Sequence, residues 1–204
     1  MSFKKLNTPL KETLDHLRME QPTPFQKKIL PRIKSGANIF GIAPDGAGKT
    51  TALIIGTIQQ LKGEAFQDAP RALIFVKDKE AALELEEKFK VFLKNTSLRI
   101  FSAFDEPNIE DQKIEIYYGV DIVISTPKKL KKLFKISGIN LNELKVLAVE
   151  DADFLVKTSD YNDLIQIPEH VTKCQYLVFA TSMDAKVGRL QDSFMSHSEV
   201  VTSK

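Results

Sequence analysis

The chain has 204 residues, 43% of them hydrophobic and 27% charged, enough for one sizeable core and marginal for two. Its 29 Lys+Arg against 27 Asp+Glu leave a net charge of +2, which excludes a global electrostatic argument for a nucleic-acid or membrane partner; any such argument must be local. No apolar stretch approaches the ~18 residues of a membrane span, the single Cys174 excludes an internal disulfide, and the opening "MSFKKLNTPLK" lacks the apolar run of a signal peptide, so a reducing cytoplasm without a membrane partner is the expected setting.

Two helices are expected before the first strand. Thr8 is placed to cap the first, with Pro9 in its opening turn and Leu10, Leu14 and Leu17 along one face. The second is expected from about Thr23 to Lys34, stopping near Gly36. Short β-branched runs then recur: "NIFGIA" (38–43), "RALIFV" (71–76), "LRIFSA" (98–103), "DIVIS" (121–125), "KVLAV" (145–149), "QYLVFA" (175–180) and a last candidate, "EVVTS". Runs that are continuously apolar, rather than alternating, predict strands buried on both faces. Amphipathic stretches separate them; over 78–94, Ala81, Ala82, Leu85, Phe89, Phe92 and Leu93 recur at helical spacing. The alternation predicts a single α/β domain over 1–204, a mainly parallel sheet with helices on both faces, whose ligand loops lie beyond the carboxyl ends of the strands.

"APDGAGKT" follows a predicted strand and opens a predicted helix. Gly46 and Gly48 let backbone N–H groups turn inward around an anion, and the helix N-terminus adds positive potential. In this pattern Lys49 reaches the outer phosphates and the Thr50 hydroxyl ligates Mg²⁺. The nucleotide-binding candidates in the loop are Ala43, Pro44, Asp45, Gly46, Ala47, Gly48, Lys49, Thr50 and Thr51. Ala43 stands where the common pattern has its first Gly, and Asp45 sets a carboxylate beside a nest built for anions. Repulsion is small if that carboxylate faces outward, so Asp45 is expected to point away from the phosphates.

With "QPTPFQKKILPRIKSG" upstream and "VLAVEDADFL" downstream of this loop, the chain resembles the first RecA-like domain of DEAD-box RNA helicases over essentially its whole length. Alanine at position 43 is what that family uses. The resemblance implies ATP and Mg²⁺ as cofactors, with residues 1–36 as the adenine-recognition segment. In it Gln26 would read the base, an amide offering donor and acceptor together, and Phe3 would stack on it. In the acidic box, Glu150 inherits the metal role and Asp151 the water-activating role, joining Lys49 as the catalytic candidates. The family's two acids are exchanged in length here. Sliding the strand by one residue to restore them would turn every side chain to the other face. One methylene changes reach by ~1.5 Å, and a misplacement of about 1 Å can cost on the order of 100-fold in rate, so binding is expected to survive the exchange better than hydrolysis.

The remaining family motifs are preserved unevenly. Where the family couples nucleotide to RNA through Ser-Ala-Thr, this chain has "FATSMD", leaving Thr181 or Ser182 to bond the acidic box. "VKDKEA" places Asp78 where the family meets RNA phosphate, and "FSAFDEPN" lacks the family's Gly-Gly turn. "STPKKLKKLFK" keeps the Thr-Pro-x-basic-Leu pattern, so Thr126, Pro127, Lys128 and Lys129 are candidates for contact with an RNA backbone, independent of sequence and steeply salt-dependent. From its charges alone the same helix also reads as a solvated amphipathic one. His16, His170 and His197 show no metal-ligand spacing, and Cys174 reads as a small core residue. The reading expects a second RecA-like domain to be absent from this chain, and with it an arginine finger worth about 10³–10⁵ in rate, so that alone the chain has weak ATPase and no unwinding activity. The alternative is a stand-alone, non-catalytic helicase-like module that binds nucleotide, RNA or a partner protein for regulation. An unrelated small P-loop kinase leaves "PTPFQ" and "STPKKL" unexplained.

Overall fold

Most of the continuous apolar runs of the sequence become strands covered on both faces, whereas the last, over Ser198–Thr202, is largely exposed. The computed structural model describes residues 3, 6–106, 108–156 and 159–203; Lys4 and Lys5 of the opening segment and Pro107 of "FSAFDEPN" lie outside them. The strands are β1 (Asn38–Ile42), β2 (Ala72–Phe75), β3 (Ile100–Ala103), β4 (Ile122–Ser125), β5 (Val146–Val149), β6 (Gln175–Ala180) and β7 (Ser198–Thr202). They form one sheet in the order β3-β4-β2-β5-β6-β1-β7, and its pairings are all parallel. The helices are α1 (Thr8–His16), α2 (Pro24–Lys34), α3 (Lys49–Gln60), α4 (Lys79–Leu93), α5 (Ile109–Tyr117), α6 (Pro127–Lys135), α7 (Asp160–Ile165) and α8 (Ala185–Ser193).

The pleat divides the core in two. Ile39, Ile74, Ile124, Ala148 and Leu177 face α1 to α4 through Leu10, Ile29, Ile55 and Phe89. Their neighbours Phe40, Phe75, Val123, Leu147 and Val178 face the other layer through Ile116, Leu130, Leu133, Leu164 and Leu190. Alternation by strand residue, with apolar partners on both sides, is the physical reason that the central strands β2 and β5 carry no polar positions. Among the described residues, no helix is long and apolar enough to cross a membrane.

β1 and β2 are consecutive in sequence yet separated in the sheet by β5 and β6. The crossing leaves a crevice beyond the carboxyl ends of β1, β6 and β5, and the loops after those strands meet there.

Several local expectations change. Asn7, not Thr8, caps α1: its Oδ1 accepts from the Leu10 N–H at 3.1 Å, and Thr8 is the first helical residue. Pro9 occupies the opening turn without an N–H to offer, so Leu10 carries the donor that needs a cap and Asn7 is three residues before it. Strands β2 to β5 are shorter than their apolar runs because the flanking residues turn into loops. Asp78 lies outside α4 as its cap, accepting from the Ala81 N–H at 2.8 Å.

Two polar clusters brace the sheet. At the amino end of α3's layer, Gln175 Nε2 donates to the carbonyls of Ile33 (2.9 Å) and Ala37 (2.7 Å), while Gln60 Nε2 donates to Ile33 O and to Gln175 Oε1, both at 2.6 Å. This fixes the C-terminal end of α2, a helix interrupted by Pro31. Near β4, the fully buried Asp121 takes Arg71 Nη2 (2.6 Å), Arg99 Nε (2.9 Å) and the N–H groups of Phe66 and Arg99. Burial alone would push its carboxyl up, but the bonds from Arg99, Arg71 and Phe66 outweigh it and hold the group below the usual carboxylate range.

Candidate functional site

The phosphate loop runs from Ala43, whose N–H donates to Ala180 O at 3.2 Å, to the start of α3. Gly46 (φ 79°) and Gly48 (φ 92°) supply the left-handed turns that expose successive N–H groups to one side. A Cβ at Gly48 would come within 2.5 Å of Gln26 Nε2, so the close approach of α2 is a second reason for glycine there. Two adjoining clefts flank the loop. One, of about 220 Å³, lies between Lys49, Thr50, Glu150, Asp151 and the α4 residues Glu84 and Lys88; the other runs along Gly46, Gly48 and Thr51 to Phe92.

Lys49 is 8% exposed. Its Nζ donates to Ala43 O at 2.6 Å and to Asp45 Oδ1 at 3.2 Å. Asp45 is 93% exposed, and its carboxylate turns to the loop's own lysine. An ammonium fixed at the head of a helix needs a counter-charge, and the nearest acid on the loop provides one.

Glu150 continues the ladder beyond β5, its N–H donating to Phe75 O at 2.9 Å, and its Oε1 accepts a hydrogen bond from the Thr50 hydroxyl. Its Oε2 is buried without a partner. Burial pushes this carboxyl up to about 7, assisted by Asp151 and opposed by the Thr50 bond and by Lys49. A hydroxyl beside a carboxylate with an orphaned oxygen fits a Mg²⁺ ion, which takes one or two protein oxygens and completes its shell with phosphate and water. Among the described residues no cluster of three or more metal-ligating side chains exists, so an all-protein cage is not the arrangement on offer.

Asp151 turns out of the strand at φ 51°, a left-handed conformation that Asp tolerates better than most residues. Its carboxyl is raised, first by burial and then by the neighbouring Asp153. Asp153, in the 3-10 turn Ala152–Val156, accepts from the Thr181 N–H (2.7 Å) and hydroxyl (2.6 Å). Burial works against its charge, but the two bonds from Thr181 prevail and lower its pKa. Of the two hydroxyls in the coupling segment, Thr181 therefore reaches the acidic box and Ser182 stands exposed.

Gln26 and Phe3 are less open than their expected roles suggest. Gln26 is 2% exposed; its Oε1 accepts from the Thr23 N–H at 3.0 Å and its Nε2 donates to Gly48 O at 3.2 Å. Thr23 Oγ1 in turn donates to Ala47 O at 2.8 Å. The N-terminal cap of α2 thus doubles as a strap across the phosphate loop. Thr23's part was readable in "TPFQ", a capping box in which Thr and Gln satisfy each other's backbone, but its bond to Ala47 had no local signal. Phe3 is 8% exposed within the core shared by α1 to α4, so its ring offers little face to a base in this conformation.

The RNA candidates stand at the carboxyl end of β4, separated from β5 by β2, on the same edge but in a different sector. Thr126 caps α6 by accepting from the Lys129 N–H at 3.3 Å. Lys128 is exposed, whereas Lys129 is 2% exposed and burial lowers its pKa; Lys129 packs under the helix instead of extending the charged face. Asp105 lies 3.0 Å from Lys132 and 3.8 Å from Lys128, and Asp163 lies 2.6 Å from Lys131. Glu106 pairs with Lys79 at the start of α4. The loop that replaces the family's Gly-Gly turn therefore supplies acids to the lysines beside it, a role that "FDEPN" did not disclose. Cys174 is half-buried, with its thiol pushed up to about 12 by burial.

The family model described as DEAD/DEAH box helicase matches residues 23–190. The pre-mRNA-processing ATP-dependent RNA helicase prp-5 of Neurospora crassa is 31% identical over 154 residues, 72% of this chain and 13% of that protein. The ATP-dependent RNA helicase DeaD of Escherichia coli is 27% identical over 202 residues, 96% of this chain and 31% of that protein. The chain spans less than a third of the length of these two relatives. In fold, the crystal structure of a DEAD box protein from the hyperthermophile Methanococcus jannaschii superposes with a TM-score of 0.91 at 21% identity, covering 100% of this chain and 56% of that one. An S. cerevisiae dbp5 variant bound to a gle1 variant and ip6 gives 0.89 at 16% identity, covering 100% and 52%.

Proposed function

Because the chain belongs to the DEAD/DEAH box helicase family, we propose that residues 1–204 form one RecA-like domain that binds ATP for an RNA helicase core, in the cytoplasm, and that turnover and unwinding require a second RecA-like domain. The observation that carries this reading is the convergence of Lys49, Thr50, Glu150 and Asp151 at one crevice beyond β1 and β5. The Gly46 to Thr51 backbone and the head of α3 accept the phosphates, and Lys49 exchanges its bonds to Ala43 and Asp45 for phosphate oxygens. Thr50 and Glu150 are the residues that would hold Mg²⁺; when bound it supplies neutralising charge to the phosphates. Asp151 orients water at the mouth of the site. Gln26 reads adenine with the second N–H of its amide and the second lone pair of its carbonyl, since one of each is already used inside the strap. RNA meets the carboxyl edge at α6 through Lys128 and the first turn of that helix, by backbone charge alone.

Calorimetry with ATP and Mg²⁺ tests the reading: binding that Lys49→Ala abolishes is expected, and no binding to the unaltered chain refutes it. A second reading, a non-catalytic nucleotide- or RNA-binding regulatory module, is favoured by two observations, the internally engaged Gln26 amide and the acids paired with the α6 lysines. RNA-stimulated phosphate release on adding a RecA-like second domain would count against that module.

A further inference from the structure

We propose that Asp45 is a specificity-determining residue of the nucleotide site: as the resident counter-ion of Lys49, its carboxylate opposes the terminal phosphate of a nucleoside triphosphate more than it opposes a diphosphate. The inference rests on the nucleotide reading above and refines it.

The Lys49 ammonium has three donors, and two already have partners, Ala43 O at 2.6 Å and Asp45 Oδ1 at 3.2 Å. Outer phosphates approach this same ammonium. A phosphate oxygen within hydrogen-bonding reach of Nζ is then about 3–6 Å from the Asp45 carboxylate. Two unit charges of like sign 5 Å apart repel by about a factor of four in an equilibrium constant, even in a fully aqueous dielectric. A diphosphate incurs this once. The third phosphate brings further charge to the end of the site that Lys49 serves, where Asp151 already adds its own.

Asp45 is free to act in this way without supporting the loop. The turn at the loop is closed by the Ala47 N–H donating to Pro44 O at 3.3 Å, and the left-handed positions are glycines, so among the described residues no backbone group depends on the Asp45 side chain. Its 93% exposure lets the carboxylate swing aside, which limits the discrimination to about three- to tenfold and makes it sensitive to salt. Asp45 also lines both clefts beside the loop, so a ligand in either one meets it.

The experiment is titration calorimetry of Mg·ADP and Mg·ATP against the unaltered chain, Asp45→Asn, Asp45→Thr and, as a charge-matched control on α1, Asp15→Asn. Runs at about 50 mM and about 500 mM salt separate an electrostatic effect from a shape effect. The ratio Kd(ATP)/Kd(ADP) is expected to fall three- to tenfold in both Asp45 variants, to stay put in Asp15→Asn, and to differ less among the proteins at high salt. An unchanged ratio, an equal gain for both nucleotides, or a gain that persists undiminished at high salt overturns the inference while leaving nucleotide binding intact. Absence of binding by either nucleotide to any of the proteins overturns the nucleotide reading itself.

Discussion

Replacing Gln26 tests whether the strap over the phosphate loop is a structural element in its own right. Gln26→Ala removes the acceptor for the Thr23 N–H and the donor to Gly48 O, at distances of 3.0 Å and 3.2 Å in a residue 2% exposed. Each buried group left without a partner costs about 1–3 kcal/mol. Both bonds are only partly buried, so the lower half of that range applies, giving a loss of about 2–4 kcal/mol for the two groups without nucleotide present. For a domain of this size one kcal/mol moves Tm by about 2–4 °C, so a fall of roughly 4–16 °C is expected. Urea unfolding of the apo chain should show a lower midpoint at unchanged m. Gln26→Glu keeps an acceptor for Thr23 but sets a carboxylate against the Gly48 carbonyl, and should recover less than half of the loss. If Gln26→Ala lies within about 0.5 kcal/mol of the unaltered chain while its ATP affinity falls, the amide serves the base alone and the strap is not holding the loop.

Asp121→Asn should cost about 3–5 kcal/mol, because it strands the buried Arg71 beside a neutral amide. Asp121 has a folded pKa below its unfolded value, so its stabilisation is complete above the ordinary Asp value of about 3.9 and is lost as pH falls through the lower folded value. The unaltered chain should therefore show a steeper acid limb below about pH 4 than Asp121→Asn in pH-resolved urea unfolding. Asp105→Asn frees Lys128 and Lys132 of an exposed acid whose pairing is worth little; binding of single-stranded RNA, followed by fluorescence anisotropy, should strengthen about two- to threefold with a steeper salt slope. Cys174, with its thiol near 12, should resist iodoacetamide at pH 8 in the native chain and react within minutes in urea, as mass spectrometry would record.

What was legible in the sequence was whatever a strand or a turn imposes locally. The doubly buried strands followed from apolar runs such as "ALIF" and "VLAV", because a residue on either face meets apolar partners. The phosphate loop followed from glycines at positions that need positive φ. The register of the acidic box followed from the pleat, and the Glu150 contact with Thr50 agrees with it. The illegible parts are contacts between distant segments. Nothing near Gln26 indicates that Gly48 will consume its donor. Nothing near Lys129 reveals that its helix turns it under while Lys128 faces out. The expectation that Asp45 points away from the phosphates came from a local argument about anions, and nothing in that argument indicates its ion pair with Lys49. Asn7 caps α1 in place of Thr8, its Oδ1 taking the Leu10 N–H while Pro9 has none to offer.

α2 is anchored at its start through Thr23 and Gln26 and at its end through Gln175 and Gln60. Pro31 lacks the N–H that would close the ladder between those anchors. A rod clamped at both ends with one missing rung yields by flexing at that rung before it slides in its bearings. Under the nucleotide reading, a displacement at the Thr23 end would meet the bonds to Ala47 and Gly48 first and would reach Thr50 through the phosphate loop itself, while the Gln175 end of β6 would be shielded by the give at Pro31.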